Sequence, residues 1–366
     1  MSEHTSLADT QLLRRTAHQV FAELFPSERV RELMATPSGF DAHDWRRLTG
    51  ELGVTGLMVD EQFGGSGMSA RELGAVFDEA GRSLGGEPMF AVAGLAIPLL
   101  LEAGDTVACA RWLPGLCDGS LLATVIYADG DGRWGPAQVD VRADQDRVSG
   151  RAGYVVGAAE ADVIFTPART AEGPAVFAVE RASPGVTITP LVTLDQTRKQ
   201  AHVRFDGAPA SRLEVAERAL DRAYATSCAL LACELAGVAA RCLDMTAEYA
   251  RERVQFGRPI GSFQAIKQKL ADLLIRVESA RSAATAAVEA AATDSPDLWW
   301  TASLAKAYCA EAAMYASELT IQIHGGIGFT WEHDAHLYFK RARTGQQLLG
   351  TTVEHYAHVA EHLSRI

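Results

Sequence analysis

The sequence predicts an α+β protein with a helical N-terminal lobe (residues 1–120), a middle antiparallel β-domain (121–213) and a C-terminal four-helix bundle (214–366). Three observations carry this. Before residue 120, apolar side chains recur at i, i+3 and i+4. From 121 to 213 the texture changes to short alternating runs split by Gly, Asp and Pro. Four long alanine-rich amphipathic segments then follow, at 216–252, 262–292, 296–321 and 351–366. A chain of 366 residues is also long for one core and should divide into two or three packed units.

In the first lobe, "DAHDWRRLTGELGV" and "SARELGAVFDEAGRSL" give the helical spacing, and Ser69 is placed to cap the second of them. The glycines of "EQFGGSGMSA" either cradle a ligand or make the turn that opens this helix, and the turn is the simpler reading. Runs such as "VDVRA", "AGYVVG", "ADVIFTPA", "AVFAVE" and "AHVRF" supply the strands. In the last region "TDSPD" (293–297) is a helix-to-helix turn with Ser295 or Asp297 as cap. No internal repeat or low-complexity linker interrupts this order.

Composition narrows the function classes. Hydrophobic residues make up 48% and charged residues 22%, and no apolar run reaches the ~18 residues of a membrane span. The opening residues lack a basic start followed by an apolar core, so a cytoplasmic protein is expected. Six cysteines without CxxC spacing imply buried, reduced thiols and no zinc site. A net charge of −12 opposes nucleic-acid binding but leaves room for a local basic pocket holding one anion.

The stretch "RERVQFGRPIGSFQAIKQKLADL" (251–273) holds such a pocket in outline. Gly257 and Pro259 stop one helix and Ser262 can cap the next, leaving Arg253, Arg258 and Gln264 around a helix start. Free amides, the helix dipole and arginine forks all favour a phosphate there. The plainer alternative is a bend with a solvated arginine. A second stretch, "QIHGGIGFTWEHDAHLYFKRAR" (322–343), has paired glycines that let backbone approach a ligand. Alone it also fits a packing turn, with His324 as a core histidine.

Taken together, "LGVTGLMVDEQFGGSG", "RVQFGRPIGSFQAIKQKLADL", "QIHGGIGF" and the final "GTTVEH" resemble the acyl-CoA dehydrogenase family over nearly the whole chain. The resemblance implies two α-lobes flanking a β-domain, and FAD laid across a subunit interface with its diphosphate held by a neighbouring chain. Matched residue by residue, it assigns Arg253, Phe256, Gln264, Gln322, His324, Gly325 and Gly326 to that FAD-facing surface. Gly350 and Thr351 of the last motif are expected at the cofactor as well.

The family's reaction needs a carboxylate base at the α-carbon of an acyl-CoA thioester. Here the usual position holds Leu349, and the alternative used by some members falls on Ser227. The flavin-ring motif is altered too: "LLATVIYADGDGRWGP" offers only Thr124 and Tyr127 as stand-ins. Lys340-Arg341 replaces the family's basic-Asp pair.

The resemblance therefore implies the base-lacking, FAD-completing subunit of a heteromeric (α2β2) acyl-CoA dehydrogenase. Actinobacterial steroid side-chain enzymes are of this type, and an electron-transfer flavoprotein is the expected acceptor. Rival readings are a homomeric enzyme with the base relocated to Glu234, a flavin-free structural subunit, and a flavin oxidase or monooxygenase. Glu234 lies two helical turns beyond Ser227, roughly 10 Å away, in an apolar setting that would raise its pKa. A buried glutamate paired with an arginine is the competing account. Glu332 and Glu354 are further carboxylates near glycine motifs, expected on the surface or beside the cofactor. Ala91, Ala93, Gly94 and Ala96 would admit a bulky acyl group, or simply let helices pack.

Overall fold

The computed structural model describes residues 7–216 and 218–365. Residues 1–6 of the predicted N-terminal lobe, and Ile366 at the end of the last predicted helix, lie outside the described residues.

The N-terminal helices are α1 (Leu7–Leu24), α2 (Ser27–Ala35), α3 (Ala42–Glu51), α4 (Ala70–Ser83), α5 (Ile97–Ala103) and α6 (Thr106–Cys117). A π-helical turn over Phe90–Ala96 leads into α5. Ser69 caps α4 as the sequence predicts, and Glu72 reaches back to the Ser69 amide (3.0 Å) to complete a capping box. The glycines ahead of it make a turn. A Cβ on Gly65 would stand 2.0 Å from the Val59 carbonyl oxygen, so glycine is required there by backbone packing.

The β-domain comprises β1 (Ala123–Val125), β2 (Asp140–Asp144), β3 (Arg147–Val156), β4 (Val163–Thr170), β5 (Gly173–Glu180), β6 (Val186–Pro190), β7 (Gln200–Pro209) and β8 (Ser211–Leu213). They form one sheet in the order β6-β7-β3-β2-β4-β5-β8, with β1 beside β4. The expectation of a purely antiparallel sheet needs correction. β1 runs parallel to β4, and β2 meets β4 in parallel at Arg142 and Arg169. The chain between β1 and β4 is long enough to return in the same direction, which a tight hairpin cannot do. Alternation splits the sheet's two faces: Val163, Phe165 and Val176 join the main core, while Ile164, Phe177 and Val179 build a second cluster.

The C-terminal helices are α7 (Ala219–Glu252), α8 (Gln264–Ala292), α9 (Leu298–His324), α10 (Ala335–Gln347) and α11 (Thr352–Leu363). Between α7 and α8 stand two short strands, β9 (Val254–Gln255) and β10 (Arg258–Pro259). α7 is the axis of the fold. It is long and apolar enough to span a membrane, yet its whole apolar window is buried in the protein. α4 crosses it at backbone contact, because a Cβ on Gly237 would meet the Asp78 carbonyl at 1.9 Å and one on Gly81 the Glu234 carbonyl at 2.0 Å. Any side chain at either position would push the first lobe off the bundle.

Candidate functional site

The Phe-Gly-Arg-Pro break is a two-residue β-hairpin. Val254 and Gln255 pair with Pro259 and Arg258, and the two tip residues, Phe256 (φ 52°) and Gly257 (φ 76°), both adopt positive φ. This is the hairpin turn whose twist matches its strands, and it normally favours Asn-Gly or Gly-Gly. A phenylalanine held there is strained, and it is 92% exposed. The hairpin lifts Phe256 out of the surface and leaves the exposed Arg253 at its base, with no ion pair or hydrogen bond of its side chain among the described residues.

One expectation fails at the restart. Ser262 does not cap α8: its hydroxyl donates to the Pro259 carbonyl (2.7 Å), and α8 begins at Gln264 after Phe263 without a side-chain cap. The Ile266 amide bonds the Phe263 carbonyl (3.1 Å), which leaves the amides of Gln264 and Ala265 at the start of α8 without a partner among the described residues, and Gln264 is exposed.

The second motif closes on the first. Tyr249, near the end of α7, stacks on His324 (4.2 Å between ring centroids) and its hydroxyl reaches the His324 carbonyl (3.3 Å). Lys269 on α8 donates to Gln322 (3.1 Å). Gln322, Gly325 and Gly326 are exposed, and nothing lies within 4 Å of a Cβ built on either glycine. His324 is different. It is buried, donates from Nδ1 to the Thr320 carbonyl (2.7 Å), and burial holds its pKa below the ordinary histidine value. It supports the surface from below. Around this patch Phe329 and Trp331 also face outward, with the Lys340 ammonium over the Trp331 ring.

The corner that carries chemistry in the resemblance is closed. Leu349 is fully buried at φ 57°, its carbonyl accepting from His355 Nε2 (2.7 Å). Lys306 is buried beneath it and donates to the carbonyls of Gln346 and Gly350; burial lowers its pKa to about 8. Ser227 spends its hydroxyl on the Ala223 carbonyl (2.9 Å), and Thr124 donates to Val156 (2.6 Å). Tyr127 packs edge-on against Tyr224, and both are buried. Thr351 and Glu354 form the capping box of α11, so these side chains are already partnered within the chain. Gly350 is buried in the same turn, and Glu332 is exposed. The small residues Ala91, Ala93, Gly94 and Ala96 are packed, with Phe77 and Phe90 against Gly94.

The relocated-base reading of Glu234 is overturned. Glu234 is 1% exposed and accepts from Arg198 (2.6 Å) and Arg341 (2.9 Å). Burial pushes its pKa up, but the two guanidiniums outweigh burial and hold it below the ordinary carboxylate value. A carboxylate locked between two cations cannot take a substrate proton. Sequence reasoning flagged Arg341 only as a departure from a family pair. Its partners Asp195, Thr197 and Glu234, and the second arginine on Glu234, Arg198, lie far away in sequence and gave no local signal.

Comparison with known proteins agrees with this architecture. Residues 8–120 match the acyl-CoA dehydrogenase N-terminal domain, and residues 213–364 match the acyl-CoA dehydrogenase C-terminal domain. Acyl-CoA dehydrogenase IpdE2 of Mycolicibacterium smegmatis is 33% identical over 343 residues, covering 93% of this chain and 94% of that protein. Acyl-CoA dehydrogenase FadE27 of Mycobacterium tuberculosis is 33% identical over 335 residues, 88% of each chain. Among solved structures, the ChsE4-ChsE5 complex from Mycobacterium tuberculosis superposes with a TM-score of 0.90 and 30% identity over 100% of both chains. A variant of the Tcur3481-Tcur3483 steroid ACAD gives 0.90 with 28% identity over 98% of both. The chain belongs to the acyl-CoA dehydrogenase family, FAD-dependent enzymes that dehydrogenate acyl-CoA thioesters.

Proposed function

We propose that this chain is the base-lacking, FAD-completing subunit of a heteromeric acyl-CoA dehydrogenase. One contrast carries the reading: an open, unpaired anion surface around Arg253, Gln264, Gly325 and Gly326, against a buried Leu349 corner that holds no base. Bound here, FAD would supply the hydride acceptor for desaturation of the acyl chain. Arg253 would hold its diphosphate, with the free amides at the start of α8 as further donors. The backbone at Gly325 and Gly326 lets the cofactor lie close, while His324 and Tyr249 hold that backbone in place. Phe256 offers an apolar tip that covers part of the cofactor or the partner. Gln322 hydrogen-bonds at the rim, and Gly350 and Thr351 border the site from the α11 side.

The catalytic carboxylate and the flavin-ring contacts then come from a homologous subunit in an α2β2 assembly. Heteromeric assembly is the state of the ChsE4-ChsE5 relative, and the Tcur3481-Tcur3483 relative is a steroid enzyme. The likeness to the steroid enzyme favours a steroid side-chain acyl-CoA as substrate, with an electron-transfer flavoprotein as acceptor. The test is flavin absorbance per chain, for this protein expressed alone and then with a homologous subunit from the same genome. Near-zero flavin alone and about one FAD per pair is the expected result. One FAD per chain alone, with acyl-CoA dehydrogenation, overturns it.

A further inference from the structure

One hydrogen bond ties the two glycine-bearing motifs together through their side chains. Lys269, in the second turn of α8, donates from Nζ to Gln322 Oε1 (3.1 Å), in the last turn of α9, 53 residues further on. Lys269 is half-buried. Its neighbours on the same helix face, Ile266 three residues before and Leu273 four after, pack against or within the main core. The lysine stem is therefore held against the protein, with its ammonium delivered to the rim where α9 ends. Asp272, three residues on along α8, is within ordinary helical reach, yet among the described residues Lys269 makes no ion pair with it or with any other carboxylate. The ammonium is turned to Gln322 instead.

This choice of partner decides what Gln322 presents. A lysine ammonium can only donate, so the Gln322 carbonyl oxygen is the end that faces it, and the two N–H donors of the amide are left for the exposed side. A glutamine without such a partner can turn either end outward, because its oxygen and nitrogen ends have nearly the same shape. Oxygen outward would set lone pairs against an anion, whereas nitrogen outward offers it donors. Gln322 stands three residues before Gly325, the start of the open glycine backbone.

We infer that Lys269 is a positioning residue of the cofactor surface, fixing Gln322 as a donor toward an anionic ligand. The inference rests on the reading above that this surface holds the FAD diphosphate, and it adds a residue that the motif match did not assign. Lys269 acts through Gln322 rather than as a free charge.

The test is FAD affinity in the assembly that holds flavin, whether formed with the homologous subunit or by this chain alone, stripped of flavin and titrated back with FAD. Lys269→Met should weaken FAD by roughly threefold to tenfold, the range for one hydrogen bond. Lys269→Arg, which also only donates, should restore most of the affinity. In a Gln322→Ala background Lys269→Met should cost about twofold or less, because the group it orients is gone. Gln322→Glu keeps an acceptor for Lys269 but turns carboxylate oxygen outward, and should bind FAD more weakly than Gln322→Ala. Unchanged affinity in Lys269→Met, with Arg253→Ala weakened in the same assay, overturns the inference and leaves the cofactor surface standing. An equal loss from Lys269→Met in both Gln322 backgrounds also overturns it, since Lys269 is then a point charge. Gln322→Glu binding FAD as tightly as Gln322→Ala overturns it without need of the lysine variant. If Arg253→Ala and Lys269→Met both leave the affinity unchanged, the cofactor reading itself falls and this inference with it.

Discussion

Two regions of this chain that face the same expected cofactor differ in how their polar groups are spent. Around Arg253 and the Gly325-Gly326 pair, side chains are exposed, a helix start is uncapped, and a phenylalanine sits in a strained hairpin tip. Around Leu349 many polar groups are partnered inside the chain: His355 holds the Leu349 carbonyl, Lys306 the Gly350 carbonyl, Ser227 bonds its own helix, and Thr351 caps α11. An exposed strained turn with unused donors is stable only because nothing better competes for it, which is the state of a surface completed from outside. In the buried corner the polar atoms left over are the Tyr127 and Thr352 hydroxyls and His355 Nδ1, which are buried without a partner among the described residues.

Leu349→Glu presses hardest on this contrast. A carboxylate at a fully buried position should lower stability by several kcal/mol and still yield no acyl-CoA dehydrogenation. Activity gained by this variant without the partner subunit, and absent from the wild-type chain under the same conditions, would mean that the corner is accessible. Arg253→Ala should next weaken flavin retention in the assembled complex by roughly tenfold to a hundredfold, the range for a hydrogen bond to a charged group. The melting of the chain alone should barely move, since that side chain has no internal partner. Unchanged flavin affinity removes Arg253 from the cofactor surface.

Thr351→Ala gives the smallest effect, about 1 kcal/mol of stability from the lost α11 cap. Flavin content of the complex read alongside the melt then separates a cap from a cofactor contact. If retention falls with the melt unchanged, Thr351 belongs with the open region rather than the sealed one.

Legibility in the sequence followed the range of the interaction. The α4 cap at Ser69, the strand runs and the long α7, α8 and α9 were visible because they rest on neighbours one to four residues away. The parallel β1–β4 pair was missed because strand direction is set by a return from about forty residues on. The break at 256–257 was visible as a break but not as a hairpin, since a phenylalanine in the left-handed region contradicts the turn's usual chemistry. Ser262 was misassigned as a cap because its hydroxyl had a nearer acceptor in Pro259.

By itself, then, the sequence determined the order of lobes, the motif spacing that marks the family, and the absence of a carboxylate at Leu349 and Ser227, all matters of residue identity and local periodicity. Only the tertiary structure decided what Glu234 is. Its role depends on Arg198 and Arg341, brought to it from 36 and 107 residues away. The sign of a buried carboxyl's pKa is set by which charges fold against it in a low-dielectric interior, and no local pattern records that.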